Sequence, residues 1–384
     1  MRIIIVGGGS AAVSAALKAR ECNKDCRIII YSEENILPYR RPLLPKLLCG
    51  DLPSQRLFLY DKKFYEEHNI EVKLNTQVAA VNWREKTLQL KNGESVEYHR
   101  LLLATGAESR NIAVNSCRSV INLPGLRDFS DLKHLQNIIH SAKHITIIGG
   151  GILGLEIADE LLNKQLKVTV IERSDKLLNG VVDTQCSEFI RKTLSSDQAL
   201  NIHCNAQVIS YDPDGKKLVF MDSFKQMHSF FTDGVINCTG IVPRKPVMIP
   251  ALANKELMVD DYMQVVKCKD IFAAGDCACS DLLQRGSYAS AIYSGSIAGV
   301  NMAGNMLKAE KNIYEIRAML KNCQVYSAGD TQSFDLETQV NISGNSIQKL
   351  YYRHDSLQGF TLVNDLTSSS RFYQALTEQQ KNNR

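Results

Sequence analysis

The sequence predicts an α/β protein with two similar parallel-sheet domains and a small α+β domain at its C-terminal end. Three observations carry that expectation. Two segments repeat one order of strand, glycine turn, helix, strand and acid; turn-rich hairpin stretches follow each of them; and the texture of the chain changes near Tyr314. Short β-branched runs alternating with helical segments indicate βαβ units, which build parallel sheets.

In the first repeat, Arg2–Val6 reads as a strand, Gly7-Gly8-Gly9 as the turn, residues 10–20 as a helix and Arg27–Tyr31 as a second strand, followed by the acid Glu33. The second repeat runs His144–Ile148, Gly149-Gly150-Gly151, a helix over 153–164, Lys167–Ile171 and the acid Glu172. The turns stand 142 residues apart (Gly149 against Gly7), which indicates two domains rather than a solenoid. Asn92-Gly93 separates 87–91 from 95–99, and Asp214-Gly215 separates 206–211 from Lys217–Met221. Both dipeptides favour tight primed turns. Asp212-Pro213-Asp214-Gly215 lacks the later glutamate of a calcium loop and reads as a plain hairpin. Residues 323–366 alternate polar and apolar, with turn signals at Gly329-Asp330, Gly344-Asn345 and Asp355-Ser356. A small antiparallel module closed by a helix near 369–376 is expected there, with the polar residues 377–384 frayed.

Composition limits the function. Over 384 residues, 45 Lys and Arg against 41 Asp and Glu leave a net charge of +4, too dispersed for a nucleic-acid face. With 44% hydrophobic and 22% charged residues the chain is of ordinary globular type. No apolar run approaches a membrane span, and the start of the chain does not read as a signal peptide. The 11 cysteines are odd in number and form no framework. They read as reduced thiols, so a cytoplasmic location is expected.

The chemistry sits in the glycine turns. Gly7-Gly8-Gly9-Ser10-Ala11-Ala12 fits G-x-G-x-x-G/A through Gly7, Gly9 and Ala12. Missing side chains allow the tight turn, close approach of a pyrophosphate, and close helix–strand packing, while the helix N-terminus offers N–H groups to the phosphates. Glu33, 24 residues after Gly9, stands where an acid binds ribose hydroxyls. Gly149-Gly150-Gly151-Ile152-Leu153-Gly154 is a full match through Gly149, Gly151 and Gly154, with Glu172 lying 21 residues beyond Gly151. An acid there accepts from an adenosine ribose 2′-hydroxyl and repels a 2′-phosphate, so NADH is favoured over NADPH. Arg173 follows it directly. Two such sites in one chain suggest a flavin that takes hydride from a nicotinamide.

Later segments give a resemblance. Leu102-Leu103-Ala104-Thr105-Gly106-Ala107 and Asn237-Cys238-Thr239-Gly240 resemble the paired A-T-G segments of two-dinucleotide flavoproteins. Asp270-Ile271-Phe272-Ala273-Ala274-Gly275-Asp276 resembles their F-A-A-G-D motif. With both glycine turns, these identify residues 1–310 with the pyridine-nucleotide-dependent flavoprotein oxidoreductases. Leu37-Pro38-Tyr39-Arg40-Arg41-Pro42-Leu43-Leu44-Pro45-Lys46 is similar to the P-Y-x-R-P-x-L-x-K segment of rubredoxin and ferredoxin reductases, with Pro45 where relatives often carry serine. Val325–Asp330, Gly359-Phe360 and Asn364-Asp365 resemble the small last domain of the NAD(P)H–rubredoxin and flavorubredoxin reductases and of the flavoprotein portion of nitrite reductase large subunits. Val242-Pro243-Arg244-Lys245-Pro246 is an altered form of their G-x-R-P-N segment.

The resemblance implies two Rossmann-like domains: an FAD domain over 1–112 and 232–312, split by an NAD(P)H domain over 113–231, with a C-terminal domain over 313–384. It implies FAD held by the first turn with Arg41, Ala104, Thr105, Gly106, Gly240, Gly275 and Asp276, and NADH held by the second. It places Lys46 and Glu156 beside the flavin ring, where a cation stabilises reduced flavin and a carboxylate holds the cation. The acceptor it implies is a redox protein: rubredoxin, a flavodiiron protein, or an iron–sulfur/siroheme reductase. A direct NADH oxidase or peroxidase using Cys49, and a redox-sensing flavoprotein, are the alternatives. Cys22 and Cys26 are expected past the first helix, and no cysteine pair has the spacing of a disulfide reductase. The histidines, His140 with His144 and His203 beside Cys204, suggest no metal site.

Overall fold

The computed structural model describes residues 1–50, 54–116, 119–244 and 256–382. The chain divides into two compact units, one of Met1–Leu43, Leu52–Glu108 and Ile241–Asn312, the other of Leu44–Asp51, Ser109–Gly240 and Ile313–Arg384.

The first unit is built on a parallel sheet in the order Ile271–Ala273, Arg100–Leu103, Arg2–Val6, Arg27–Tyr31, Ile70–Lys73. Ile3, Ile4 and Ile5 of the central strand are fully buried, because a strand covered on both faces carries an unbroken apolar run. The helix Ser10–Cys22 packs on Tyr288–Met302 with almost no side chain between the backbones. A Cβ added at Gly295 would fall 2.3 Å from the Ala11 carbonyl oxygen, and one at Gly299 2.3 Å from that of Ala15. Cys22 is the last residue of that helix, not beyond it as expected.

Just before the strand Ile271–Ala273, Asp270 is 6% exposed and receives Lys86 at 2.7 Å and Arg100. Burial raises its pKa, but the bond from Lys86 and the charges of Arg100 and Lys86 outweigh it and hold the carboxyl below its usual range. Its φ of +69° is one that Asn also tolerates, so Asp270→Asn tests the charge alone. We expect a loss of roughly 2–3 kcal/mol at pH 7, less than the roughly 3–5 kcal/mol of a fully buried pair because both cations stay partly in water. A depressed folded pKa contributes above the unfolded value and is lost as pH falls through the folded one. Urea unfolding of both proteins should therefore show the gap closing below the carboxylate range.

The second unit holds a parallel sheet in the order Leu200–His203, Lys167–Ile171, His144–Ile148, Gly234–Asn237. A separate five-stranded sheet includes the meander Gln207–Asp212, Lys217–Met221, Met227–Phe231. The C-terminal module is an antiparallel sheet ordered Glu315–Met319, Gln324–Gly329, Ser356–Val363, Ser346–Arg353, Glu337–Ser343. Lys349 of this sheet reaches Asp183, the cap of the helix Thr184–Leu194, at 2.5 Å. Among the described residues no helix is long and apolar enough to cross a membrane.

Two local expectations are corrected. Neither hairpin uses a primed turn. A two-residue Asp214-Gly215 turn would need Pro213 to donate an N–H to Lys216, and proline has none. The ladder instead ends at Asp212 and Lys217, and Lys216 takes the left-handed conformation (φ +52°). At the other hairpin only Gly93 is left-handed (φ +91°), closing a three-residue loop. The last helix spans Ser369–Asn382 rather than fraying from 377, since Gln379 accepts from the Ser356 hydroxyl of the neighbouring strand at 3.1 Å.

Candidate functional site

In the first unit the C-terminal ends of four parallel strands gather most of the expected residues. Gly7 follows Arg2–Val6, Glu33 lies two residues beyond Arg27–Tyr31, Ala104, Thr105 and Gly106 follow Arg100–Leu103, and Gly275 and Asp276 lie just beyond Ile271–Ala273. This rim is where open parallel sheets bind ligands. Gly7 has φ +118°, and a Cβ there would sit 2.1 Å from the Ala104 carbonyl oxygen. Gly9 is the cap of the helix Ser10–Cys22; it supplies no side-chain bond to the first turn, and a Cβ there would meet nothing within 4 Å. Bare first-turn amides beside open space fit a pyrophosphate. Ala12 is fully buried on the packing side of the helix.

Two pairings on this rim were not legible. Glu33, exposed, forms an ion pair with Arg244, whose carbonyl accepts from the Thr105 hydroxyl at 3.4 Å. Lys245 and Pro246 of the altered segment lie outside the described residues. Arg41 pairs with Glu34 at 2.5 Å, lies 5.2 Å from the Tyr39 ring, and shares Glu34 with the Tyr39 hydroxyl at 2.9 Å. Asp276 accepts the Gly286 N–H at 2.8 Å.

The second unit repeats the geometry. Gly149 has φ +110°, with a Cβ position 2.4 Å from the Cys238 carbonyl oxygen; at Gly154 the Cβ would be 2.1 Å from the Gly149 oxygen, and at Gly151 it would meet nothing within 4 Å. Gly151 caps the helix Ile152–Asn163 without a side-chain bond. Each oxygen of Glu172 accepts one backbone N–H, from Gly150 at 2.6 Å and from Ser174 at 2.7 Å. These bonds fix a carboxylate at the mouth of the turn. Gly240, at φ +112°, ends the segment that follows Gly234–Asn237.

Lys46 and Glu156 also belong to the second unit. Lys46 is exposed on the helix Leu44–Cys49, which packs on the helix that carries Glu156. The two interact through space, the charge of Lys46 acting on the Glu156 carboxyl. Burial pushes the Glu156 carboxyl up to about 7, Lys46 opposes the rise, and Glu160 and Asp159 on the same helix add to it. From the ordinary carboxylate range up to about pH 7 the folded chain thus keeps a proton that the unfolded chain has lost, so its stability falls across that window. Glu156→Gln should remove the fall: its melting temperature should gain on wild type between pH 5 and pH 8. Equal differences at both pH values would refute the assignment.

Burial likewise pushes the Cys49 thiol up to about 11, with Glu160 raising and Lys164 lowering it. His144 is engaged by the Phe231 carbonyl at 2.8 Å and the Thr169 hydroxyl at 2.9 Å. Among the described residues no cluster of His, Cys, Asp and Glu could hold a metal.

Known proteins resemble this chain in sequence and fold. Residues 1–311 match the family model described as pyridine nucleotide-disulphide oxidoreductase. The chain is 26% identical over 376 residues to a rubredoxin-NAD(+) reductase of Pseudomonas putida, covering 95% of this chain and 96% of that protein. It is 26% identical over 390 residues to a nitrite reductase [NAD(P)H] of Bacillus subtilis, covering 98% of this chain but 47% of that one. Among solved structures, one of a covalent putidaredoxin reductase–putidaredoxin complex matches with a TM-score of 0.85 at 22% identity, over 98% of this chain and 93% of that one. The expected α/β fold of two dinucleotide-binding units is thereby borne out.

Proposed function

We propose that this chain, which belongs to the pyridine nucleotide-disulphide oxidoreductase family, is a flavoenzyme that carries electrons from NADH to a small redox protein. The observation that carries the reading is the pair of glycine turns, each with an uncapped helix N-terminus facing open space and each at the rim of its own parallel sheet. FAD and a nicotinamide nucleotide are the two dinucleotides that such turns hold. When bound, FAD accepts a hydride and releases the electrons singly, which a one-electron acceptor requires.

The residues of this chain bind and orient. Gly7 and Gly9 admit the FAD pyrophosphate, Glu33 and Arg244 stand at the ribose end of the first turn, and Asp276 takes a ribityl hydroxyl. Gly149, Gly151 and Gly154 admit the NADH pyrophosphate, while Glu172 accepts from the adenosine ribose and repels a 2′-phosphate. Lys46 would supply positive charge to a bound flavin, and Glu156 sets the charge around Lys46. The functional division we propose is an FAD domain, an NAD(P)H domain and a C-terminal domain over 313–384; the strand Gly234–Asn237, expected in the FAD portion 232–312, pairs with His144–Ile148 and so belongs to the sheet of the NAD(P)H domain. The acceptor is of the rubredoxin, flavodiiron or iron–sulfur/siroheme class, and the setting is the cytoplasm.

An oxidase or peroxidase working through Cys49 needs an accessible thiolate, and burial at Cys49 works against one. Cys49→Ser should therefore keep flavin reduction and acceptor turnover within about twofold of wild type, since hydride transfer needs no thiol. A loss beyond about a hundredfold with FAD retained would move the reading to thiol chemistry.

A further inference from the structure

The strand Glu337–Ser343 ends the C-terminal sheet, and all seven of its residues are exposed. Its inner edge pairs with Ser346–Arg353 without a bulge, from Glu337 opposite Tyr352 to Ser343 opposite Ser346. The outer edge has no strand on it among the described residues. Open edges are ordinarily blunted by lysine, proline, a bulge or shortness. This one has none of these: it is seven residues long, regular, and bears Val340 at 37% and Ile342 at 54% exposure.

The sequence of the strand is complementary to itself. In an antiparallel pairing about a twofold axis at Val340, Val340 meets Val340, Gln339 meets Asn341, Thr338 meets Ile342 and Glu337 meets Ser343. Amide then faces amide, β-branched faces β-branched, and the one charge of the strand faces a hydroxyl, so like charges are never opposed.

A second feature agrees. Phe334 is fully exposed, three residues before the strand, where neighbouring Asp335 is held to Arg353 at 3.0 Å. At the other end, a groove of about 1010 Å³ is lined by Ile342, Gly344 and Asn345 on one side and by Phe189, Lys192 and Thr193 on the other. Antiparallel pairing brings the start of one strand to the end of its partner, so the Phe334 of each chain comes to the groove end of the other. A twofold contact of this kind closes and does not propagate.

We propose that two copies of this chain associate through the Glu337–Ser343 edges, forming one continuous ten-stranded sheet from two five-stranded ones, with Phe334 of each copy seated at the groove of the other. The test is sedimentation of the full chain, as purified, across a range of concentrations. Wild type should sediment as a dimer in the micromolar range. Val340→Lys sets two lysines against each other on the axis and should weaken association at least tenfold, with the circular dichroism spectrum unchanged because Val340 lies on an exposed edge strand. Val340→Glu should do the same, and an equal mixture of the two variants should recover a dimer, since opposite charges then meet at Val340. Phe334→Ala should weaken association without abolishing it. A wild-type chain that stays monomeric at about 100 µM leaves the edge to some other strand and overturns the proposal. So does a dimer indifferent to both Val340 variants.

Discussion

Gly149→Ala should lose at least about a hundredfold in kcat/KM for NADH while its FAD content stays at the wild-type level. The added methyl group would lie 2.4 Å from the Cys238 carbonyl oxygen, on a residue held at φ +110°. No L side chain is comfortable at that φ, and the obstacle is backbone, so the turn must move. Because displacements of about 1 Å can cost a hundredfold in rate, a shifted pyrophosphate cradle should fail in hydride delivery. Gly7 is the counterpart in the first unit, so the phenotype belongs to NADH alone. Stopped-flow reduction of the enzyme-bound flavin, read with the flavin content of each preparation, checks it. Wild-type reduction rates in Gly149→Ala would show that the second turn does not hold the reductant.

The second large effect is the choice of nucleotide. NADH should be preferred over NADPH by at least about tenfold in kcat/KM, a difference of about 1.4 kcal/mol. The Gly150 and Ser174 amides hold both oxygens of Glu172 in place, so the carboxylate cannot swing away from a 2′-phosphate. A fixed like charge is a stronger discriminator than a mobile one. Glu172→Gln keeps an oxygen for one of these amides and removes the charge, so the preference should narrow. Equal rates with both nucleotides in wild type would mean that Arg173 governs the site.

What the sequence shows and what it hides follow from the range of each interaction. Gly7, Gly149 and Gly154 are legible because each meets a carbonyl at about 2 Å from a would-be Cβ, a demand that only glycine satisfies at a fixed place in a βαβ unit. The strands Arg2–Val6, Arg27–Tyr31, His144–Ile148 and Lys167–Ile171 emerge with the bounds read from their apolar runs. The hairpin turns went wrong because Asn-Gly and Asp-Gly name a preference, while the last ladder pair decides the loop, and Pro213 cannot close one. Gly295 and Gly299 carry a four-residue spacing, but nothing local says which helix they meet. Glu33 with Arg244, and Asp270 with Lys86 and Arg100, join residues far apart in the chain, and charge alone does not choose partners at such separations. The pairing of Arg41 with Glu34 was hidden as well, since two charges seven residues apart in a loop do not announce a contact.

The central claim is that one chain carries both dinucleotides and passes electrons outward one at a time. An anaerobic titration of the purified protein with NADH, followed by addition of an oxidised rubredoxin or ferredoxin, tests it most directly. The account predicts that one equivalent of NADH bleaches the visible flavin absorbance and that two equivalents of the one-electron protein restore it. Flavin that NADH leaves oxidised, or reduced flavin that only oxygen restores, would contradict it.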